Sequence, residues 1–274
     1  MKKILLLILA IYSINTQAQD LIKVKGNREV TTQISPLDSF DVLEIDGEYE
    51  IEIVPGAVPQ IEITTDSNLH QYLAASVVKG KLVVTTTARI RSKKELKFRI
   101  IYGPELKKIS VTDDAQLSSV TSLQFEELEL NIEKDAEVYL TATIDNLTLN
   151  AERSTKSELN LTGKQANIRL TDNASVKALV KYEKLDLSLD NRVDARIEGD
   201  VKRGTLSLKD RAQLEGKNLV FDNLELMIKN NAQASVNVKN NFSLEATDDA
   251  EIAIHNNPDF DIKKFTGKAV LKKE

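Results

Sequence analysis

The sequence predicts an all-β fold, a right-handed parallel β-helix (β-solenoid) with layers of about nineteen residues. Three observations carry that expectation. Ile168, Leu170, Ala174 and Val176 recur nineteen residues later as Leu187, Leu189, Val193 and Ala195. The same unit, an apolar alternation, a polar turn and then a small or apolar residue, runs through the chain. That last residue falls at Ala115, Ala136, Thr155, Ala174, Val193, Ala212, Ala232 and Ala250, with spacings of 21, 19, 19, 19, 19, 20 and 18. Within each unit the apolar positions alternate, as in Leu185, Leu187 and Leu189 or Leu224, Leu226 and Ile228, which is the period of a strand and not of a helix. Nineteen residues allow two or three short strands joined by turns. Equivalent strands would stack in parallel about 4.8 Å apart, so that eight layers make a rod of roughly 40 Å. The hexapeptide pattern of a left-handed β-helix is absent, which favours the right-handed form.

Taken in order, residues 1–18 read as an export signal. Lys2 and Lys3 precede an apolar run, Ile4 to Tyr12, that is too short to span a bilayer, and Thr16-Gln17-Ala18 offers small residues for cleavage. Residues 19–34 are polar and read as an extended lead-in to a single β-helix domain over 35–274. Its first part, 35–108, is an elaborated set of N-terminal layers and a cap. Leu43, Ile45, Tyr49, Ile51 and Ile53 alternate with charges around Asp46-Gly47, with Tyr49 in the marker place. A strand follows from Pro59 to Thr65. Asp66-Ser67-Asn68 then supplies capping side chains for a short helix, with Leu69, Tyr72 and Leu73 on one face, that ends near Ser76 and covers one end of the stack. Val77 to Val84 is a hairpin signal with Gly80 free to take a positive φ. Arg89 to Lys94 is a charged loop, and Leu96, Phe98 and Ile100 resume the alternation before Gly103-Pro104. The regular repeats occupy 109–255. Residues 256–274, with Phe260, Ile262 and Phe265 and a Lys-rich finish, read as a C-terminal cap.

Composition narrows the chemistry. Hydrophobic residues make up 41% of the 274, yet only 5% are aromatic and Trp is absent, which suits thin layers of Leu, Ile, Val and Ala. Without Cys the chain holds no disulfide and no lipid-modified cysteine. A net charge of −5, more negative once Lys2 and Lys3 are removed, gives no footprint for nucleic acid.

The turns are candidate sites. In order they read Asp113-Asp114, Lys134-Asp135, Arg153-Ser154, Asp172-Asn173, Asn191-Arg192, Asp210-Arg211, Asn230-Asn231 and Asp248-Asp249. A column of Asp and Asn oxygens suits calcium, with Asp113-Asp114 and Asp248-Asp249 the best placed. The same residues also bond their own backbone and tolerate the left-handed conformation of a tight corner. Lys134, Arg153, Arg192 and Arg211 interrupt the column and would repel a cation, so the corner reading prevails and no metal, cofactor or catalytic residue is assigned. The two histidines, His70 and His255, lie in no nucleophile or metal motif and read as exposed or capping residues.

Phe40, Leu43, Ile45, Gly47, Tyr49, Ile51, Ile53 and Gly56, then Ile61 and Ile63 with Asn68-Leu69, then Gly80, Leu82 and Val84, then Pro104, Leu106, Ile109 and Val111 form a pattern. It resembles the putative auto-transporter adhesin, head GIN domain, family over about residues 35–255. The resemblance implies an exported, right-handed β-helical protein, mostly of Bacteroidetes, and brings no catalytic residues. Where family members commonly have Gly-Ser or Gly-Ala at the turns, this chain has Asp-Asp-Ala or Asp-Asn-Ala. The expected function is therefore that of a non-enzymatic β-solenoid, adhesin-like or a cell-envelope scaffold, periplasmic or on the cell surface. Its partner would be a protein or glycan there. A glycan-active β-helix enzyme of lyase or hydrolase type and a self-associating structural element (a homo-oligomer) are the alternatives.

Overall fold

Each coil begins where a polar residue reverses the chain. In the computed structural model, which describes residues 21–274, Asp113, Lys134, Arg153, Asp172, Asn191, Asp210, Asn230 and Asp248 have φ between 51° and 64°. Asp and Asn accept that left-handed region because a short polar side chain can bond locally. For Lys134 and Arg153 the stack itself must hold it. The second corner residue is also left-handed at Asp114, Asp135, Ser154 and Asn173. Backbone N–H groups there donate from coil to coil, Asp114 to the Lys134 carbonyl (3.3 Å) and Ser154 to the Asp172 carbonyl (3.1 Å). At later corners the donor is the residue before the turn, as in Lys209 to the Leu189 carbonyl (3.1 Å). The residue after each corner sits inside the bend, and all eight markers from Ala115 to Ala250 are buried. Tyr49 is in register with Ala115, since Gln116 pairs with Glu50.

From Glu137 onward six successive strands of 14 to 16 residues each pair in parallel with the next. The expectation of two or three short strands per layer is thus too fragmented. Each long strand bends without leaving the ladder. In Ser175–Asp190, Val176, Ala178, Val180 and Tyr182 point inward, then Leu185, Leu187 and Leu189 do. The even-to-odd step at Glu183-Lys184 is the bend, and the pairing skips only Glu183 there. Every coil so has a first face after its corner and a second face before the next. Columns such as Leu149, Ile168, Leu187, Leu206, Leu226 and Leu244 stack in register through the core. About nine turns form a parallel β-solenoid, and 72% of the described residues lie in strands.

The irregular spacings mark local departures from the ladder. The 21-residue step carries its extra residues between Gln116–Ser119 and Leu123–Glu133. The 20-residue step coincides with a register slip between Arg196 and Gly199.

The N-terminal part departs from sequential stacking. The first coil, Val42–Asp46 and Glu50–Pro55, lies between Lys108–Thr112 and Gln116–Ser119 on one side and Lys81–Thr86 and Leu96–Tyr102 on the other. The chain therefore goes under its first coil before climbing past it. Antiparallel strands finish that end. Gln60–Asp66 pairs with Leu96–Tyr102 and with Val30–Pro36, and Leu73–Val78 pairs with Lys81–Thr86.

Several expectations need correction here. The short helix is a three-residue 3-10 turn, His70–Tyr72, after which Leu73–Val78 is a strand. The hairpin turn at Lys79 (φ 52°) and Gly80 (φ 80°) is formed as the sequence indicates, and its first strand takes up Leu73, the last of the three residues that carried the helical spacing. So short a helix is marginal without a packed face of its own. The 19–34 lead-in is paired over much of its length, Ile22–Lys25 with Ala88–Ser92 and Val30–Pro36 with Gln60–Asp66. The charged loop from Arg89 is accordingly strand to Ser92. The export signal expected at 1–18 lies outside the described residues.

Candidate interaction surface

With side chains of a nineteen-residue coil spaced by one strand separation, about 4.8 Å, the outward columns decide what the rod presents. At the bend the column reads Asp145, Lys164, Glu183, Lys202 and Asp222, alternating in sign. Lys164 reaches Asp145 at 2.7 Å and Lys202 reaches Glu183 at 2.9 Å. On the first face Lys156 pairs with Glu137 (3.8 Å), Lys177 with Glu158 (3.6 Å) and Arg196 with Glu215 (2.5 Å). Exposed pairs of this kind individually add little to stability, because solvent and salt screen them. Their collective effect is on register, since like charges set opposite one another in a ladder destabilise it.

The second face differs. Its middle columns carry Thr148, Asn167, Asp186 and Thr205 beside Asn131, Asn150, Arg169, Ser188 and Ser207. Asn150 donates to the Asn131 side-chain oxygen at 2.9 Å, and Asn131 to Glu129 at 2.8 Å. A shallow groove of about 260 Å³ lies here, between Asn131, Asn150 and Arg169. A larger one of about 590 Å³ lies on the same face toward the C-terminal end, against Arg203, Asn223, Asn241, Phe242 and Phe260. A third, of about 400 Å³, opens on the first face beside Arg196, Glu215, Ser235 and Lys272.

The corner columns are bonded from coil to coil. Asn191 donates to Asp172 at 2.7 Å and Asn230 to Asp210 at 2.5 Å. Asp248 accepts from the Thr247 hydroxyl at 2.7 Å and the Asn230 N–H at 3.4 Å, which holds its carboxyl below the ordinary value. Lys134 lies 3.3 Å from Asp113. Asp113 also meets Asp46, and this contact pushes the Asp46 carboxyl up, with burial adding to it, while it holds Asp113 down. The basic residues that interrupt the acidic column thus include one that neutralises its neighbour. The Asp46–Asp113 pair sits at a coil corner and lines none of the three grooves.

Both histidines are buried, against the expectation of exposed or capping roles. His70 Nε2 bonds the Thr31 hydroxyl (3.0 Å), and His255 Nε2 the Ser235 hydroxyl (2.9 Å). They tie a terminal strand and a late coil to the body.

One structural site escaped the sequence reading. Asp66 is fully buried, and its carboxylate accepts from the Lys94 N–H at 2.7 Å and from the Arg28 N–H. Burial pushes this carboxyl up, but the N–H groups of Lys94, Arg28 and Glu95 overrule it and hold it below the ordinary value. Around it Asn27 N–H bonds Asn68 Oδ1 (2.9 Å), and Asn68 Nδ2 bonds the Lys25 carbonyl (2.9 Å). Asp66 and Asn68, expected to cap a helix, instead tie two loops 28 to 43 residues away. Asp66→Asn keeps the shape and removes the charge that these donors serve. It should lower the melting temperature and speed amide exchange at 26–29 and 93–95, leaving the 137–246 coils protected. Hydrogen-exchange mass spectrometry checks this, and unchanged exchange at both loops would contradict it.

A pH response follows from Glu52. Burial opposes its ionisation, but Lys97 (2.6 Å) and Arg99 (3.1 Å) on the facing strand overrule burial and hold its carboxyl below the ordinary value of 4.5. Its stabilising contribution is present above the unfolded value and is lost as pH falls through the depressed folded one. Glu52→Gln should therefore melt earlier than the parent chain at pH 7, and the two melting temperatures should converge as pH falls from there through the depressed folded value. Thermal melts across that range test it.

The comparisons with known proteins agree with this architecture. The family model for the putative auto-transporter adhesin, head GIN domain, matches residues 39–179 and 146–258. No protein in the curated set matches the chain. Among solved structures, a putative adhesin from Parabacteroides merdae ATCC 43184 is similar with a TM-score of 0.68 and 17% identity, over 92% of this chain and 99% of that one. A putative adhesin from Parabacteroides distasonis ATCC 8503 has a TM-score of 0.65 and 15% identity, over 92% and 100%. A protein from the same organism described as a putative lipid binding protein has a TM-score of 0.60 and 18% identity, over 92% and 99%. At these identities the likeness is one of fold.

Proposed function

The chain belongs to the putative auto-transporter adhesin, head GIN domain, family, and from that premise we propose that it is an exported, non-enzymatic binding rod of the cell envelope. In this reading the solenoid is a rigid support, and its outward strand columns engage a protein or glycan at the envelope or cell surface. The observation that carries it is the difference between the faces. On the first face and at the bend charged residues pair between coils; the second face has ion pairs too, Lys108 with Glu129 and Lys184 with Asp186, but beside them it carries amides, hydroxyls and Arg169 along consecutive coils. Among the described residues no helix is long and apolar enough to cross a membrane.

Two measurements test the reading. Protease accessibility on intact cells reports whether the rod is exposed. An array of glycans and matrix proteins, probed with the purified chain and with Arg169→Glu, reports whether the second face binds. Surface exposure with a ligand lost in Arg169→Glu supports it. A periplasmic location together with no binding removes adhesion.

A further inference from the structure

The two ends of the rod are finished differently. At the N-terminal end the antiparallel strands Val30–Pro36 and Leu73–Val78 are outermost, each paired on one side only among the described residues, and Ile61, Leu69 and Leu82 of the layers they cover are buried. At the other end Asp259–Phe265 and Val270–Lys273 add one more rung in register, and no further strand pairs with them among the described residues. Phe260 continues the Phe242 position, Ile262 that of Leu244 and Phe265 that of Ala246. Those three predecessors are fully buried, yet Phe260 is 48%, Ile262 51% and Phe265 42% exposed. Core positions without a following layer leave both apolar side chains and backbone bonding groups open.

We propose that this rung is a dimer interface, occupied by the same rung of a second copy related by a two-fold axis. The strand itself names its partner. The register slip beside Lys263 and the charges at Asp261, Lys263 and Lys264 discourage addition of unmatched strands. An antiparallel copy of Asp259–Phe265 centred on Ile262 does match. Ile262 then meets Ile262 on the core side, and Asp261 faces Lys263 of the second copy in both directions. Asp261 and Lys263 already lie 2.6 Å apart within one chain, so the dimer would join two such pairs into one alternating group. A head-to-tail arrangement lacks this match, because Val30–Pro36 and Leu73–Val78 carry no charged residue. A two-fold contact closes at two copies, whereas head-to-tail contacts grow into filaments. This assembly is independent of what the faces bind.

Sedimentation velocity of the purified chain over a wide concentration range should show a monomer–dimer equilibrium that stops at two. Ile262→Asp should weaken it roughly tenfold or more, with an unchanged melt of the monomer because the side chain is half exposed. Asp261→Lys should weaken it comparably, and the charge-swapped Asp261→Lys/Lys263→Asp should restore it. The swap separates matched pairing from general stickiness. A monomer at every concentration overturns the proposal. So does growth beyond the dimer, a dimer indifferent to Ile262→Asp, or a swap that fails to restore association.

Discussion

Gly199→Ala should destabilise the chain by about 3 kcal/mol or more, a fall of roughly 6–12 °C in melting temperature for a chain of this size. Two physical terms add. Gly199 has φ +122°, a conformation that side-chain-bearing residues rarely adopt. A Cβ there would also fall inside contact distance of the Val180 carbonyl oxygen on the preceding coil. The obstacle is backbone, held in the ladder by Ala178, Leu179 and Val180 pairing with Ile197, Glu198 and Gly199, so it cannot swing aside as a side chain would. The position lies where the ladder slips by one residue, and the slip absorbs the longer coil that follows. Gly56→Ala is the control, since its Cβ would meet only the Ile101 side chain and its φ is not in the left-handed region. Melts of the two variants should separate clearly. Equal, small losses would mean that the slip relaxes freely.

Phe221→Ala should cost about 3–5 kcal/mol. Phe221 is fully buried at the bend, in register with Val201, Tyr182 and Gly163 of the preceding coils. Its ring occupies the place where a Cβ on Gly204 would lie. The preceding coil is held to this one by the pairing of Gly199–Leu208 with Leu219–Ile228, so from that side little of the vacated space can close. Gly204→Ala alone should also destabilise, by forcing the ring aside. In the double variant the new methyl group enters the space the ring has left. Its loss should therefore be smaller than the sum of the single losses by about 1 kcal/mol or more. Additivity within error would show that the two residues do not share that space.

The corners and the core columns were legible in the sequence because both depend on residues one coil apart. A left-handed corner needs Asp, Asn or a residue held by its neighbours, and a core column needs an apolar residue at every nineteenth place. Asp172 and Asn191 show the first, and Ile168, Leu187 and Leu206 the second. The short helix expected at Leu69 gives way to a strand for a reason of the same kind. Spacings of three and four among Leu69, Tyr72 and Leu73 satisfy a helix locally, but strand pairing with residues after the Lys79-Gly80 turn offers Leu73–Val78 a full ladder. Asp66 carries no sequence sign of its role, because its donors stand 28 to 38 residues away.

The all-β class, the nineteen-residue coil and the positions of the corners follow from the order of residues alone. Each is a repeated short-range constraint, and repetition makes a weak local preference decisive. The order of the N-terminal layers, the pairing of the lead-in and the difference between the two faces and the two ends arise from the packed fold. The first coil could stack on residues 81–102 or on residues 108–119 with equally good alternation. It stacks on both because the chain passes beneath it and returns. Backbone ladders carry no residue label, so which strand lies beside which depends on packing and chain path across the whole molecule.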